Sequence, residues 1–248
     1  MKLFKNILTL IILTFPLFFL SGCTTSESSK DNAGSDTLSI ETISENRTFG
    51  IAENCFDSVR YSSIIDFPTD STPLADTIRR YIANATATGS KLLVTDDEYM
   101  TCCETFHQFQ KIFESKKIVT YNFISYYYLG GAHGSTIVTP YSFIKATNRA
   151  ATWSIIKDTL SVIPLIEKGL YKYFNVSSDA ELYDMLLLDN KQKIPFPTTN
   201  PSIVGDSITF LYQQYEIACY AAGMPSTNIA ISDLKQYLSK EGEELFNR

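Results

Sequence analysis

Only two histidines occur in this chain, His107 and His133, so acid–base chemistry near neutral pH has few places to happen. His133 lies in Tyr126–Thr136, YYYLGGAHGST, where three tyrosines and a leucine run into Gly130, Gly131, Ala132, His133 and Gly134. A carboxylate that a hairpin would bring to this turn is Glu216, between Tyr215 and Ile217. Together His133 and Glu216 would make a hydrolase pair. A Ser-His-Asp triad would need a nucleophile elbow, and G-x-S-x-G does not occur. The paired Asp96-Asp97 fall at a helix-start signal, where the helix N-terminus accounts for them. No C-x-x-C and no zinc-type spacing is present, so neither a metal nor a cofactor is expected. We therefore expect no catalysis here. His133 should hydrogen-bond its own turn, through Glu216 or a backbone carbonyl, while Glu216 should accept backbone N–H groups.

The N-terminus carries a different chemistry. Lys2 and Lys5 precede an apolar run, Ile7 to Leu20, broken only by Thr9, Thr14 and Pro16 and too short to span a bilayer comfortably. Leu20-Ser21-Gly22-Cys23 follows and resembles the lipobox of bacterial lipoproteins. The resemblance implies a signal peptide over 1–22 and acylation of Cys23. Acylation would anchor the chain to a lipid bilayer, at the periplasmic face of an envelope membrane. Residues 23–47 are rich in Ser, Thr, Asp, Glu and Asn and lack aromatics, which predicts a flexible tether.

Composition narrows the partners. The formal charge is −6 before any loss of Lys2 and Lys5, which argues against nucleic acid and suits a basic partner. The chain has 15 tyrosines and 16 phenylalanines, enough to fill a β-rich core and still supply an exposed contact surface. Beyond Cys23 the cysteines are Cys55, Cys102, Cys103 and Cys219. An oxidising compartment permits a disulfide, expected from Cys55 to Cys102 or Cys103.

These side chains need elements to position them. Phe49–Phe67 reads as strand. Asp70-Ser71-Thr72-Pro73 opens a helix with Leu74, Ile78, Tyr81, Ile82 and Ala85 on one stripe, ending near Gly89. A second helix is expected from Thr95 or Asp96 to about Lys116, with Phe106, Phe109 and Phe113 on its stripe and His107 beside it. Ile118–Leu129 is the strongest strand, and Thr136–Ala146 pairs back across the glycine-rich turn. A turn at Thr147-Asn148-Arg149-Ala150 leads to a short strand, Ala151–Ser154. Helices follow from Asp158 or Thr159 to Phe174 and from Ser178-Asp179 to Leu187. Ser202–Val204 and Ile208–Tyr215 form a hairpin, Asn228–Ile231 a short strand, and Ser232-Asp233 caps a last helix. The fold class is α+β, with two packed subdomains over 48–117 and 118–248 and antiparallel sheets with helices on one side.

Four segments then line up: the strand ending in GGAHG, the TNRA turn before ATWSIIKD, the hairpin SIVGDSITFLYQQYEIACYAAGMP, and IAISDLKQYL. Together they resemble the extracellular domain of the RsiV anti-sigma factor family, which also occurs in PdaC-type wall deacetylases and in lipoproteins. The likeness spans Ile118 to about Leu238. Phe49–Ser115 is similar to the small domain that precedes it in those proteins. Gly130, Gly131, His133, Gly134, Tyr215, Glu216, Tyr220 and Gly223 carry the signature. Where the family has proline, this chain has Cys219. The resemblance implies binding of a lysozyme-like protein or of peptidoglycan. Deacetylation would need a metal held by an Asp and two His on another domain, and sigma-factor sequestration would need an internal span, so neither is expected. An envelope hydrolase and a purely structural envelope module are the alternatives.

Overall fold

The computed structural model describes residues 37–51, 58–92, 104–129, 131–188 and 193–247. Cys23, Cys55, Cys102, Cys103, Gly130, Asp96-Asp97 and the expected leader lie outside the described residues.

Strand β1 (Ile40–Ile51) pairs antiparallel with β2 (Ser58–Pro68), and α1 (Pro73–Leu92) follows. Thr72 starts that helix as expected, its Oγ1 accepting from Ala75 N–H at 3.2 Å. β3 (Glu104–Glu114), β4 (Ile118–Tyr128), β5 (Ser135–Ile144) and β6 (Arg149–Ala150) complete a six-stranded sheet in sequence order. One pair departs from the antiparallel expectation. β2 and β3 run parallel, because the connection through α1 returns the chain to the end from which β2 began.

Three expectations are corrected in this half. Residues 104–114 are strand β3, not helix, and His107 is a fully buried strand residue rather than one beside a helix stripe. The stretch from Ile40 belongs to β1, so the tether cannot run to residue 47. That strand is polar because it is an edge, with β2 as its one strand neighbour among the described residues. Leu38 N–H donates to Glu114 Oε1 at 2.8 Å and Ser39 N–H to Asp70 Oδ2 at 2.7 Å, fixing its start. The third concerns the subdomain boundary at 117/118, which falls inside the β3–β4 hairpin, where Glu114 faces Val119. α1 also continues past Gly89 to Leu92.

Alternation along β4 divides the interior into two cores. Val119, Tyr121 and Phe123 meet Leu74, Ala75, Ile78 and Ile82 of α1, with Phe109 and Phe143 between them. The opposite face offers Thr120 and Ser142 to β7 (Ser202–Val204). Thr120 Oγ1 donates to Ile203 O at 2.5 Å, and Ser142 Oγ accepts from Ile203 N–H at 2.8 Å and donates to Pro201 O at 3.1 Å. Two hydroxyls thus supply the partners that a neighbouring strand would.

β7, β8 (Ser207–Leu211) and β9 (Ser226–Ala230) form a three-stranded antiparallel sheet. It packs with α2 (Ile163–Phe174) and α3 (Asp179–Met185) around Ile166, Leu170, Leu182, Ile203, Ile208 and Phe210, all fully buried. Burying each such side chain stabilises by about 1.5–3 kcal/mol. Ser178 caps α3 as expected, accepting from Glu181 N–H. The expected strand Ala151–Ser154 is instead the turn Trp153–Ile155, because Trp153 leaves the sheet to stack on Phe210 at 4.7 Å. α4 (Ile231–Leu234) and α5 (Lys240–Phe246) close the chain. Ser239, not Ser232, provides the side-chain cap of the last helix. Among the described residues, nine strands in two sheets with five helices make an α+β fold, and no helix there is long and apolar enough to cross a membrane.

Candidate functional site

The long strands β4 and β5 place the glycine-rich turn at the end of the six-stranded sheet. Their register runs from Ile118 opposite Ile144 to Tyr127 opposite Ser135. Tyr128 OH donates to Gly131 O at 2.8 Å, and Gly131 has φ +101°, a backbone that L side chains rarely adopt. At Gly134 a Cβ would lie 2.4 Å from the Tyr126 ring, so this glycine exists to let that tyrosine lie across the turn.

The second half of the surface arrives from much further along the chain, Gln214 lying 78 residues beyond the Thr136 that it meets. β6 covers only the end of β5, leaving main-chain groups near Thr136 and Val138 without a strand neighbour. Gln213 fills that edge like a peptide unit, its Oε1 accepting from Val138 N–H at 3.2 Å and its Nε2 donating to Val138 O at 2.7 Å. Gln214 Oε1 accepts from Thr136 N–H at 3.0 Å. The next residue on that edge is Pro140, which has no N–H to satisfy. These contacts deliver Tyr215 to the turn with φ +65°, a left-handed conformation costing a non-glycine residue about 1 kcal/mol.

His133 is the meeting point. Its Nδ1 is 3.0 Å from Gly134 O, and since a carbonyl only accepts, Nδ1 carries the proton. In the neutral ring Nε2 is then an acceptor, facing the Tyr215 hydroxyl at 3.4 Å. The ring stacks on Tyr220 with centroids 3.8 Å apart and planes at 18°. Tyr215 and Tyr220 are themselves 6.0 Å apart, and Tyr215 is 54 % exposed. The Tyr126 hydroxyl is pushed above its ordinary pKa, by burial first and then by Glu104, Tyr220 and Tyr128 nearby. What results is an exposed surface of rings, apolar on their faces and polar at their tips.

Glu216 does not join His133. Its Oε1 accepts from Thr198 N–H at 2.9 Å and its Oε2 from Gln213 N–H at 2.7 Å, so both oxygens tie loops together. Gly223, φ +72°, ends the turn Tyr220–Ala222 beside Tyr173, whose hydroxyl donates to Ala222 O at 2.7 Å. Cys219 is exposed and its thiol is free. Its φ of −66° is the value a proline ring would impose, so the departure from the family pattern leaves the local backbone in place. The structure thus brings together Gly131, His133, Gly134, Tyr215 and Tyr220, and holds Glu216 and Gly223 as supports. Sequence reasoning missed Gln213, Gln214, Thr198 and Tyr126 as positioning residues. A side-chain amide that imitates a peptide leaves no periodic trace. Among the described residues no group of three or more His, Cys, Asp or Glu is placed to hold a metal ion.

That constellation can be set against known proteins. Residues 155–232 match the family described as "Protein of unknown function (DUF3298)". The match takes in α2, the three-stranded sheet, Tyr215, Glu216 and Tyr220, and stops short of His133. Two solved structures extend the likeness to the whole fold. A crystal structure of a DUF3298 family member from Bacteroides fragilis superposes with TM-score 0.66 at 18% identity, covering 88% of this chain and 100% of that one. A DUF3298 family protein from Pseudomonas aeruginosa gives TM-score 0.62 at 15% identity, covering 83% of this chain and 96% of that one. At such identities the likeness speaks for the fold alone. No curated protein matches the sequence.

Proposed function

We propose that this chain is a lipid-anchored, non-catalytic protein of the bacterial cell envelope, acylated at Cys23. In this reading it binds a wall component or a wall-active, lysozyme-like protein through the rings of His133, Tyr215 and Tyr220. The observation that carries the binding half is the exposed, pre-ordered stack itself. Tyrosines with fixed rings lose little entropy on contact and are the residues most used at recognition surfaces. Net charge −6 favours a basic protein partner and gives it a faster approach at low salt. Ring faces with hydroxyl tips would equally suit glycan.

A hydrolase reading gains less support. It needs Glu216 beside His133, whereas both Glu216 oxygens are occupied by backbone N–H groups. His133 Nε2 faces a tyrosine hydroxyl, not a carboxylate.

Co-sedimentation of the full chain with purified peptidoglycan, and pull-down with a basic lysozyme, test the proposal. Binding to either at micromolar concentration and low salt is expected. Binding to neither sinks it. The lipid anchor is tested separately by mass spectrometry of the mature N-terminus, which should show an acylated Cys23. An unmodified N-terminus at any residue would remove the anchor from this account.

A further inference from the structure

Five arginines lie among the described residues, and three of them meet carboxylates: Arg47 with Glu45, Arg60 with Glu104 and Arg79 with Asp76. The remaining two, Arg80 and Arg149, have no carboxylate partner among the described residues, and both line one cleft of about 390 Å³. In an acidic chain, two guanidiniums without a carboxylate partner on one cleft stand out against the overall charge.

The fold explains how they converge. Thr77, Arg80, Tyr81 and Asn84 are spaced i, i+3, i+4, i+7 along α1 and so share a face. Opposite them comes the turn between β5 and β6, with Asn148 at φ +54° and then Arg149 paired to Ile144 in the edge strand. Arg80 is pre-ordered, its Nη2 donating to Thr77 Oγ1 at 3.0 Å. Asp76, one turn before it on α1, is engaged by Arg79 and does not neutralise it. The side of the cleft is fixed by Tyr81, whose ring packs edge-on against Tyr141 at 5.0 Å and Phe143 at 5.1 Å. This is the TNRA turn of the sequence, and the aromatic surface gives it no role.

We propose that this cleft binds an oxyanion, a phosphate or carboxylate borne by a sugar- or polyol-sized ligand, between Arg80 and Arg149. Guanidinium forks match both groups with paired N–H donors, and the volume suits one small ligand. The inference is independent of what the aromatic surface binds.

Isothermal titration of the full chain tests it with glycerol 3-phosphate, glucuronate and neutral methyl glucoside. At least one charged probe should bind, more weakly as salt is added, and the neutral one should not. Arg80→Ala and Arg149→Ala should each weaken binding by about tenfold, the loss of one charge-assisted contact, without changing thermal stability. A response to glycerol 3-phosphate alone assigns the phosphate source, and to glucuronate alone the carboxylate source. Failure of both charged probes overturns the proposal. So does an Arg80→Ala/Arg149→Ala double variant that binds as tightly as the wild type.

Discussion

The imidazole of His133 lies on the ring of Tyr220 at 3.8 Å, joining two segments that are far apart in sequence. Tyr220→Ala removes that stack and should destabilise by about 1 kcal/mol beyond its lost burial. Tyr220→Phe keeps the ring and should unfold in urea at close to the wild-type midpoint. Equal losses in both variants would mean that the hydroxyl, not the stack, holds the turn.

Glu216 makes a contrasting prediction. Glu216→Gln replaces one acceptor oxygen by an NH₂ group, which cannot accept from Thr198 or Gln213. A loss of about 1.5–3 kcal/mol is expected in chemical denaturation, as for other hydrogen bonds to charged groups. Wild-type stability in this variant would reopen a functional role for the carboxylate.

Burial holds His107 below its ordinary pKa, packed between Tyr61 and Phe123 with neither ring nitrogen hydrogen-bonded among the described residues. The unfolded chain therefore takes up the proton first. Stability should be complete above the unfolded value of about pH 6.5 and decline below it, by at most about 1.4 kcal/mol per pH unit. His107→Leu should flatten this decline between pH 7 and pH 5 relative to wild type. An unchanged slope of melting temperature against pH would assign the loss to other groups.

Thr120 and Ser142 both serve Ile203, one at its carbonyl and the other at its N–H. Thr120→Val and Ser142→Ala should each cost about 1–3 kcal/mol by leaving a buried backbone group unpaired. Because they free the same strand, the double variant should cost less than the sum. Strict additivity in the double-mutant cycle would show that β7 is held by other contacts.

Much of this architecture was legible in the sequence, and the misses have physical causes. β4 announced itself because its eleven consecutive residues, IVTYNFISYYY, are almost all β-branched or aromatic and include no glycine or proline. β3 read as a helix because Phe106, Phe109 and Phe113 fall at spacings of three and four, which a helix stripe shares. In the fold, Phe109 and His107 face one core, Phe106 faces the other way, and the register slips between Lys111 and Phe113, so the true period of two is broken. β1 escaped notice because an edge strand needs little apolar surface. The aromatic surface was half visible. GGAHG marked the turn and Tyr215, Glu216 and Tyr220 stood out, but their meeting depends on Gln213 docking to Val138, a tertiary contact with no local pattern.

The central claim is recognition through the His133–Tyr215–Tyr220 surface. Its most direct test is a titration of wild type and Tyr215→Ala against a basic lysozyme and against soluble peptidoglycan fragments, with melting temperatures measured alongside. Tyr215 is exposed and its ring is 6.5 Å from that of His133, so its loss should spare the fold. The account predicts binding of at least one of these by the wild type, weakened by about tenfold or more in Tyr215→Ala. Undiminished binding in that variant, or none in the wild type, would contradict it.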